Sequence, residues 1–386
     1  MKILYLLWEC CCNPEMIQAM RMAGHDVVVL RTSQDELLRP NITDKVTKAV
    51  RENACDIVYG FNYFPNVAEA AKEQGMAYYA WVYDNPCVHL YSYTVAYPTN
   101  HIYVFDSDTY LKFHAEGINT IKFLPMAADP DRVESLSKTA PRGYEADISF
   151  VGSLYNERHD FYHRMVDKGL PDHTFGYVRG IIEAQKHLYG MDLTEQLLND
   201  EILEDMHAAL PLEPSSGSVI TMRTLFSQYV LDRQVTVEER HRILTELGLV
   251  FGERYNVALY THDRTVSFRG VNNHGPADQF KETPLVFKRS RINLNISLRS
   301  IVNGAPLRCF EIMGAGGFLM SSWAGDLADM FVPGDDYVYY ESVEDMLGKI
   351  GYYLEHDDER RQIAANGLAK IRESHTFLHR VREMFG

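Results

Sequence analysis

The chain has 386 residues, enough for two domains, and its 46% hydrophobic and 24% charged content is that of an ordinary globular protein. Its 53 acidic against 38 basic residues leave a net charge of −15. That excludes nucleic acid as the main partner, because binding a phosphate backbone needs a basic face.

Met1-Lys2 runs straight into the apolar stretch Ile3–Trp8, with no small-residue cleavage site of a secretory leader. The longest stretch without acidic or basic residues, Asn85–Phe105, contains His, Pro and several Tyr, so no membrane span is expected. Six cysteines (Cys10, Cys11, Cys12, Cys55, Cys87 and Cys309) show no CxxC spacing. They read as reduced thiols of a cytoplasmic protein.

In chain order, Met1–Trp8 is a buried-type strand, Glu9–Pro14 a loop, Glu15–Ala23 a helix and Val27–Leu30 a strand. This is a Rossmann-like opening, but without the G-x-G-x-x-G fingerprint of dinucleotide binding. Helices over Ile42–Asn53 and Val67–Gln74 then alternate with strands over Asp56–Tyr59, Ala77–Val82, Ile102–Phe105 and Thr120–Leu124. Such alternation predicts an α/β fold with parallel sheets. The polar Ser135–Tyr144 region, with Pro141 and Gly143, reads as a linker. The expected division is 1–140 for a first domain and 141–373 for a second. A strand over Asp147–Val151, the Gly152-Ser153 loop and a helix over His159–Lys168 open the second domain.

Residues 179–246 carry helical spacing over Ile181–Tyr189, Leu193–Ala208, Ser218–Leu231 and Val237–Leu247, which predicts a helical insertion. Strands are expected again at Val257–Tyr260 and Val266–Phe268.

Residues 285–322 hold the strongest chemical signal. A strand over Ile292–Leu298 is followed by the loop Asn303-Gly304-Ala305-Pro306, a helix over Leu307–Met313 and a strand over Phe318–Ser321. The unpaired N–H groups and the dipole of a helix start hold phosphate. Pro306 suits the first turn, Arg308 can add a charge-assisted contact, and Glu311 can accept two ribose hydroxyls. The same pattern also fits a plain buried βαβ unit with a glycine-softened helix end.

In the first domain, Asp84 follows the strand ending at Val82, where side chains meet the ligand crevice of an open sheet. It is either a general base for an acceptor hydroxyl or a turn cap, and His89 is a second candidate base. Asp106-Ser107-Asp108 has the D-x-D form of some metal sites. It reads better as the N-cap of a helix over Thr109–Ala115. No metal site is expected from the ligand spacings.

The run Arg308-Cys309-Phe310-Glu311-Ile312-Met313-Gly314-Ala315-Gly316-Gly317-Phe318-Leu319 resembles the carboxyl-terminal signature of GT-B glycosyltransferases. It is most similar to the CgeB-like, spore-maturation-type group. The similarity continues through Phe331-Val332-Pro333-Gly334 to about residue 373.

The resemblance implies two Rossmann-like domains facing a cleft that closes to expel water, and a last helix (374–386) packing back toward the first domain. It implies transfer of a sugar from a nucleoside-diphosphate sugar, UDP-linked, to an acceptor that the sequence does not name. No metal or other cofactor is implied. The second domain would bind the donor and the first would face the acceptor. Arg158 would reach the pyrophosphate, with Gly152 letting the backbone approach, and Arg269 and Gly270 would border the nucleobase, with Asn272, Asn273 and His274 close by. Gly304, Ala305 and Arg308 would hold the diphosphate, and Glu311 the ribose. Many retaining members carry a glutamate eight positions before Glu311; Asn303 stands there, so the stereochemical outcome stays open. A sugar-nucleotide epimerase of the same fold, or a non-catalytic nucleotide-sugar-binding protein, are the alternative readings.

Overall fold

A computed structural model describes every residue except 139–142, 144, 157–159 and 216. Contacts divide the chain into two compact units. The first comprises Met1–Ala127, Pro214–Ile220 and His375–Gly386; the second comprises Ala128–Glu213 and Thr221–Ser374. The division falls after Ala127, ahead of the Ser135–Tyr144 linker read from sequence. Part of that linker lies outside the described residues.

The first unit is built on six parallel strands: β1 (Lys2–Leu7), β2 (Asp26–Arg31), β3 (Ile57–Phe61), β4 (Ala77–Val82), β5 (Asn100–Val104) and β6 (Ile121–Phe123). Their order is β2-β1-β3-β4-β5-β6. All of β3 is buried, as in a sheet covered on both faces. The helix Ile42–Asn53 shows how the cover forms: Ile42, Val46 and Val50 recur every fourth residue and are its buried face.

The terminal helix Phe377–Phe385 belongs to this unit. Arg380 donates to the carbonyls of Pro125 and Met126, and Phe385 packs on Tyr79 and Tyr59.

The second unit carries β7 (Ala146–Val151), β8 (Val257–Tyr260), β9 (Val271–Asn273), β10 (Ser290–Asn295), β11 (Leu319–Ser322) and β12 (Val338–Tyr340). These are also parallel, in the order β12-β11-β10-β7-β8-β9.

The segment from β7 to β8 is helical among its described residues, but its divisions differ from the expected ones. The helix expected over Leu193–Ala208 is two helices, Leu193–Leu197 and Asp200–Ala209. Asp192 caps the first, and Asn199 caps the second by accepting from the Ile202 N–H. Met222–Phe226 passes through a π turn, Ser227–Leu231, into the long helix Asp232–Phe251. Residues 214–220 leave this helical segment and join the first unit, where Ser218 bridges Ser92 and the Val219 N–H donates to the Tyr91 carbonyl.

Val266–Phe268 is not a strand. Asp263 accepts from the N–H and hydroxyl of Thr265 and turns the chain before it. Pairing starts only at Val271, after Gly270 at φ 76°.

Candidate functional site

In an open α/β sheet the ligand crevice lies at the carboxyl ends of the strands, where the strand order reverses. Each unit has one such point. In the second it lies between β7 and β10: the chain runs outward from β7 to β8 and β9, then returns to β10 on the other side.

The loop after β7 is Gly152–Tyr155. A side chain on Gly152 would press a Cβ to 3.0 Å from the Phe150 ring, so packing alone already favours glycine there. Arg158, expected beside it, lies outside the described residues.

The loop after β10 spans 296–306 and leads into the helix Leu307–Gly314. Pro306 is the N-cap with extended backbone, φ −62° and ψ 155°, and the helix proper begins at Leu307, as expected. No side chain caps this end. Gly304 and Ala305 are buried just before it. The Asn303 carbonyl accepts from the Asp326 N–H.

Arg308 stands on the first turn of this helix and Glu311 at the start of the next, both partly exposed, and they pair with each other at 3.0 Å. The Arg308 guanidinium also lies 5.0 Å from the centre of the Phe287 ring. The two side chains are therefore already ordered by mutual attraction.

The β10 loop is anchored from below by Arg299. Its guanidinium makes two bonds to the Glu239 carboxylate, 2.9 and 2.7 Å, and both side chains are 5% exposed. Arg299 also donates to the Leu188 carbonyl and lies 3.8 Å over the Tyr189 ring, whose hydroxyl donates to Glu239. This buried pair ties the loop to the helical segment. Nothing in the sequence flagged it, because its members are far apart along the chain.

Arg269 and Gly270 need correction. They precede β9 instead of following a strand, so they sit at the amino-terminal edge of the sheet, opposite the crevice. Arg269 is exposed, and Gly270 serves helix packing: a Cβ there would fall 2.4 Å from the Gly248 carbonyl oxygen. Asn272 and Asn273 direct their amides to Asn256 and to the carbonyls of Asp263 and Val266. His274, which follows β9, is exposed and stacks on Tyr260 at 4.8 Å.

In the first unit the order reverses between β1 and β3. The loop after β1 holds Cys10, Cys11 and Cys12, and Asn62 follows β3 in the left-handed conformation, φ 59°. The Asn62 amide donates to the Asp84 carboxylate at 2.6 Å, and its carbonyl oxygen accepts from the N–H groups of Tyr83 and Asp84.

Burial raises the Asp84 carboxyl above its ordinary value, against the Asn62 bond, which lowers it. The residue stays solvent-exposed at the end of β4. Burial pushes the neighbouring Cys10 thiol up to about 12 and Tyr83 far above a normal phenol, and the two share a hydrogen bond. These two groups are therefore neutral beside the Asp84 carboxyl.

Asn62 was missed in the sequence. Its signal was present, an asparagine directly after a buried strand, since asparagine is among the few side chains that tolerate positive φ.

His89 lies in a short 3-10 turn, Val88–Tyr91, and lines a cleft with Asn66, Glu69, Tyr93 and Ser218, to which Asp84 does not contribute. Burial lowers its pKa, favouring the neutral ring.

Asp106 caps the helix Ser107–Ala115 through the Asp108 N–H at 3.1 Å and also accepts from the Asn85 amide. Among the described residues no group of three or more His, Cys, Asp or Glu could hold a metal ion, and all six cysteines are free. No described helix is long and apolar enough to cross a membrane.

Residues 237–386 match the family described as glycosyl transferase-like. No curated protein matches the sequence. Solved structures resemble it over nearly its whole length. Sucrose-phosphate synthase from Thermosynechococcus elongatus gives a TM-score of 0.55 at 9% identity, covering 99% of this chain and 97% of that one. The fold is GT-B. A glycosyltransferase from Rickettsia africae gives 0.50 at 10% identity, over 99% and 96% of the two chains. Anabaena HepE in complex with UDP and glucose gives 0.50 at 10%, over 100% and 98%. The GT-B form accounts for the two sheets with separate reversal points, and the matched segment contains β8 to β12 and the Leu307–Gly314 helix.

Proposed function

We propose that this protein is a glycosyltransferase that takes a sugar from a nucleoside-diphosphate sugar, UDP-linked, and transfers it to an acceptor hydroxyl without a metal. The observation that carries the reading is the reversal point between β7 and β10. There a helix start without a side-chain cap follows the β10 loop, with Arg308 on its first turn and Glu311 at the start of the next. A helix start with an arginine suits a diphosphate, and a carboxylate one turn on suits a ribose. The glycosyl transferase-like match over 237–386 and a fold neighbour solved with UDP and glucose support the same choice.

In this reading the leaving diphosphate is stabilised by Arg308 and the N–H groups at Leu307, charges already oriented before reaction. The first domain holds the acceptor. Asp84, oriented by Asn62, removes the hydroxyl proton as the new glycosidic bond forms. The raised Asp84 pKa brings the carboxylate closer to the basicity that proton removal needs. His89 is not assigned the base, since it belongs to a separate cleft. The CgeB-like group stays the nearest family resemblance for the signature around Glu311.

Calorimetry with UDP, GDP and their glucose conjugates tests the donor. Binding of UDP and UDP-glucose is expected, and binding of neither nucleotide would refute the reading. NMR of the product's anomeric centre then tests the base, because inversion is the outcome that requires one.

A further inference from the structure

The helix Asp232–Phe251 presents two arginines to the end of β7. Arg233 lies with its guanidinium 5.1 Å from the centre of the Tyr155 ring, and Arg240, two turns on, lies 4.8 Å from the same ring and 5.3 Å from Phe150. Tyr155 holds this position with a left-handed backbone, φ 57°. Arg240 is 7% exposed and donates to the carbonyls of Ser153 and Ile296. It thus links the loops after β7 and β10, the two strands that flank the reversal point.

Among the described residues, the two arginines differ from the paired guanidiniums of Arg299 and Arg308 near the site. Arg299 has Glu239, and Arg308 has Glu311. Among the described residues, neither Arg233 nor Arg240 has a carboxylate within ion-pair distance. The Nε of each is buried without a hydrogen-bond partner. Burial lowers the pKa of both, and at Arg240 the nearby Glu239 carboxylate offsets only part of that. Buried charge without a partner is costly, and ring stacking offsets only part of it. Of the two, Arg233 is the more exposed, and a guanidinium of this kind at the mouth of a ligand crevice suits an anion.

We propose that Arg233 is a ligand of the donor diphosphate, supplied by the helical segment between β7 and β8, and that Arg240 positions it by joining the two loops through Ser153 and Ile296. This rests on the nucleotide-sugar reading above and adds to it. The diphosphate is gripped from two sides, by the helix starting at Leu307 and by a helix outside the signature that marks the family resemblance. Donor binding would then order the helical segment as well as the signature helix.

The test is calorimetry of the full chain and of Arg233→Met with three probes: UDP, inorganic pyrophosphate and uridine. A charge-assisted contact predicts about tenfold or greater loss for UDP and pyrophosphate, and unchanged binding of uridine. Arg233→Lys keeps the charge without the planar fork and should recover part of the loss. The ligand-free Met variant should melt no lower than the parent, because it loses an uncompensated cation; a structural arginine would lower it. Parent-like affinity for UDP in Arg233→Met would overturn the proposal, as would an equal loss for uridine. Pyrophosphate bound through Arg233 with no UDP binding would leave the anion site standing and remove the nucleotide-sugar reading. Binding of neither probe to the parent chain would remove both.

Discussion

The two units share one plan, six parallel strands with a single reversal of order, yet their crevice rims carry opposite chemistry. At the β1–β3 end of the first unit, the Cys10 thiol, the Tyr83 phenol and the Asn62 amide stand as neutral groups beside the Asp84 carboxyl. At the β7–β10 end of the second stand Arg233, Arg240, Arg299 and Arg308, and among the described residues Arg299 and Arg308 are the two with a carboxylate at ion-pair distance. Topology brings strand ends and loops together in both, and says nothing of what those loops do. The side chains decide that. A cationic rim suits a leaving diphosphate, and a carboxyl of raised pKa suits proton removal.

The largest way to break this comparison is at Asp84. Asp84→Asn keeps the shape and a hydrogen bond to Asn62 but removes the base, so turnover should fall by about 10²–10⁴ with UDP affinity unchanged. Steady-state rates on folded variant check this, and unaltered turnover would make Asp84 a turn cap.

The raised pKa adds a pH signature. In the folded chain Asp84 keeps its proton to higher pH than in the unfolded chain. Its contribution to stability is therefore full below the ordinary carboxylate value and is lost as pH rises through the raised one. Turnover should climb over that same window while stability declines. Both trends should vanish in Asp84→Asn when melting and rate are followed from acid to neutral pH.

The buried pair beneath the donor loop comes next. Glu239→Gln leaves Arg299 buried without its counter-charge, and breaking such a pair costs about 3–5 kcal/mol. Denaturant unfolding should register that loss, and the nucleotide affinity of the remaining folded protein should weaken because Arg299 anchors the loop ahead of Leu307. A stability change within experimental error would show the loop to be held by other contacts.

Glu311→Ala is smaller and sharper. Loss of the ribose contacts should weaken UDP binding about tenfold or more and leave pyrophosphate binding intact or stronger, since Arg308 is freed from its partner. Equal weakening of both probes would mean that Glu311 serves only to hold Arg308. The smallest effect expected is none: EDTA should leave turnover unchanged, and activity lost to EDTA and restored by Mn²⁺ would return the Asp106–Asp108 pair to consideration.

Much of this was legible in the chain because it is local. Strand and helix periodicity, the cap at Asp106 and the strand–loop–helix around Leu307 depend on neighbours within a few residues. The errors arose where a local pattern met a distant contact. Val266–Phe268 has a strand-like composition, but Asp263 turns it, and Gly270 is glycine because the long helix passes within touching distance. Arg269 therefore fell on the wrong edge of the sheet. Leu193–Ala208 read as one helix because apolar spacing continues across Asn199, whose capping bond restarts it.

The sequence by itself determined the α/β class, the alternation that makes two parallel sheets, and a helix start flanked by Arg308 and Glu311, because short-range sterics and burial patterns specify those. Only the tertiary structure decided that the sheets reverse between β1 and β3 and between β7 and β10, that Asn62 holds Asp84, and that Arg233 and Arg240 meet the end of β7 with no carboxylate at ion-pair distance among the described residues. The physical reason is that a partner's charge and burial belong to residues tens to hundreds of positions away, and no local pattern records which of them will be absent.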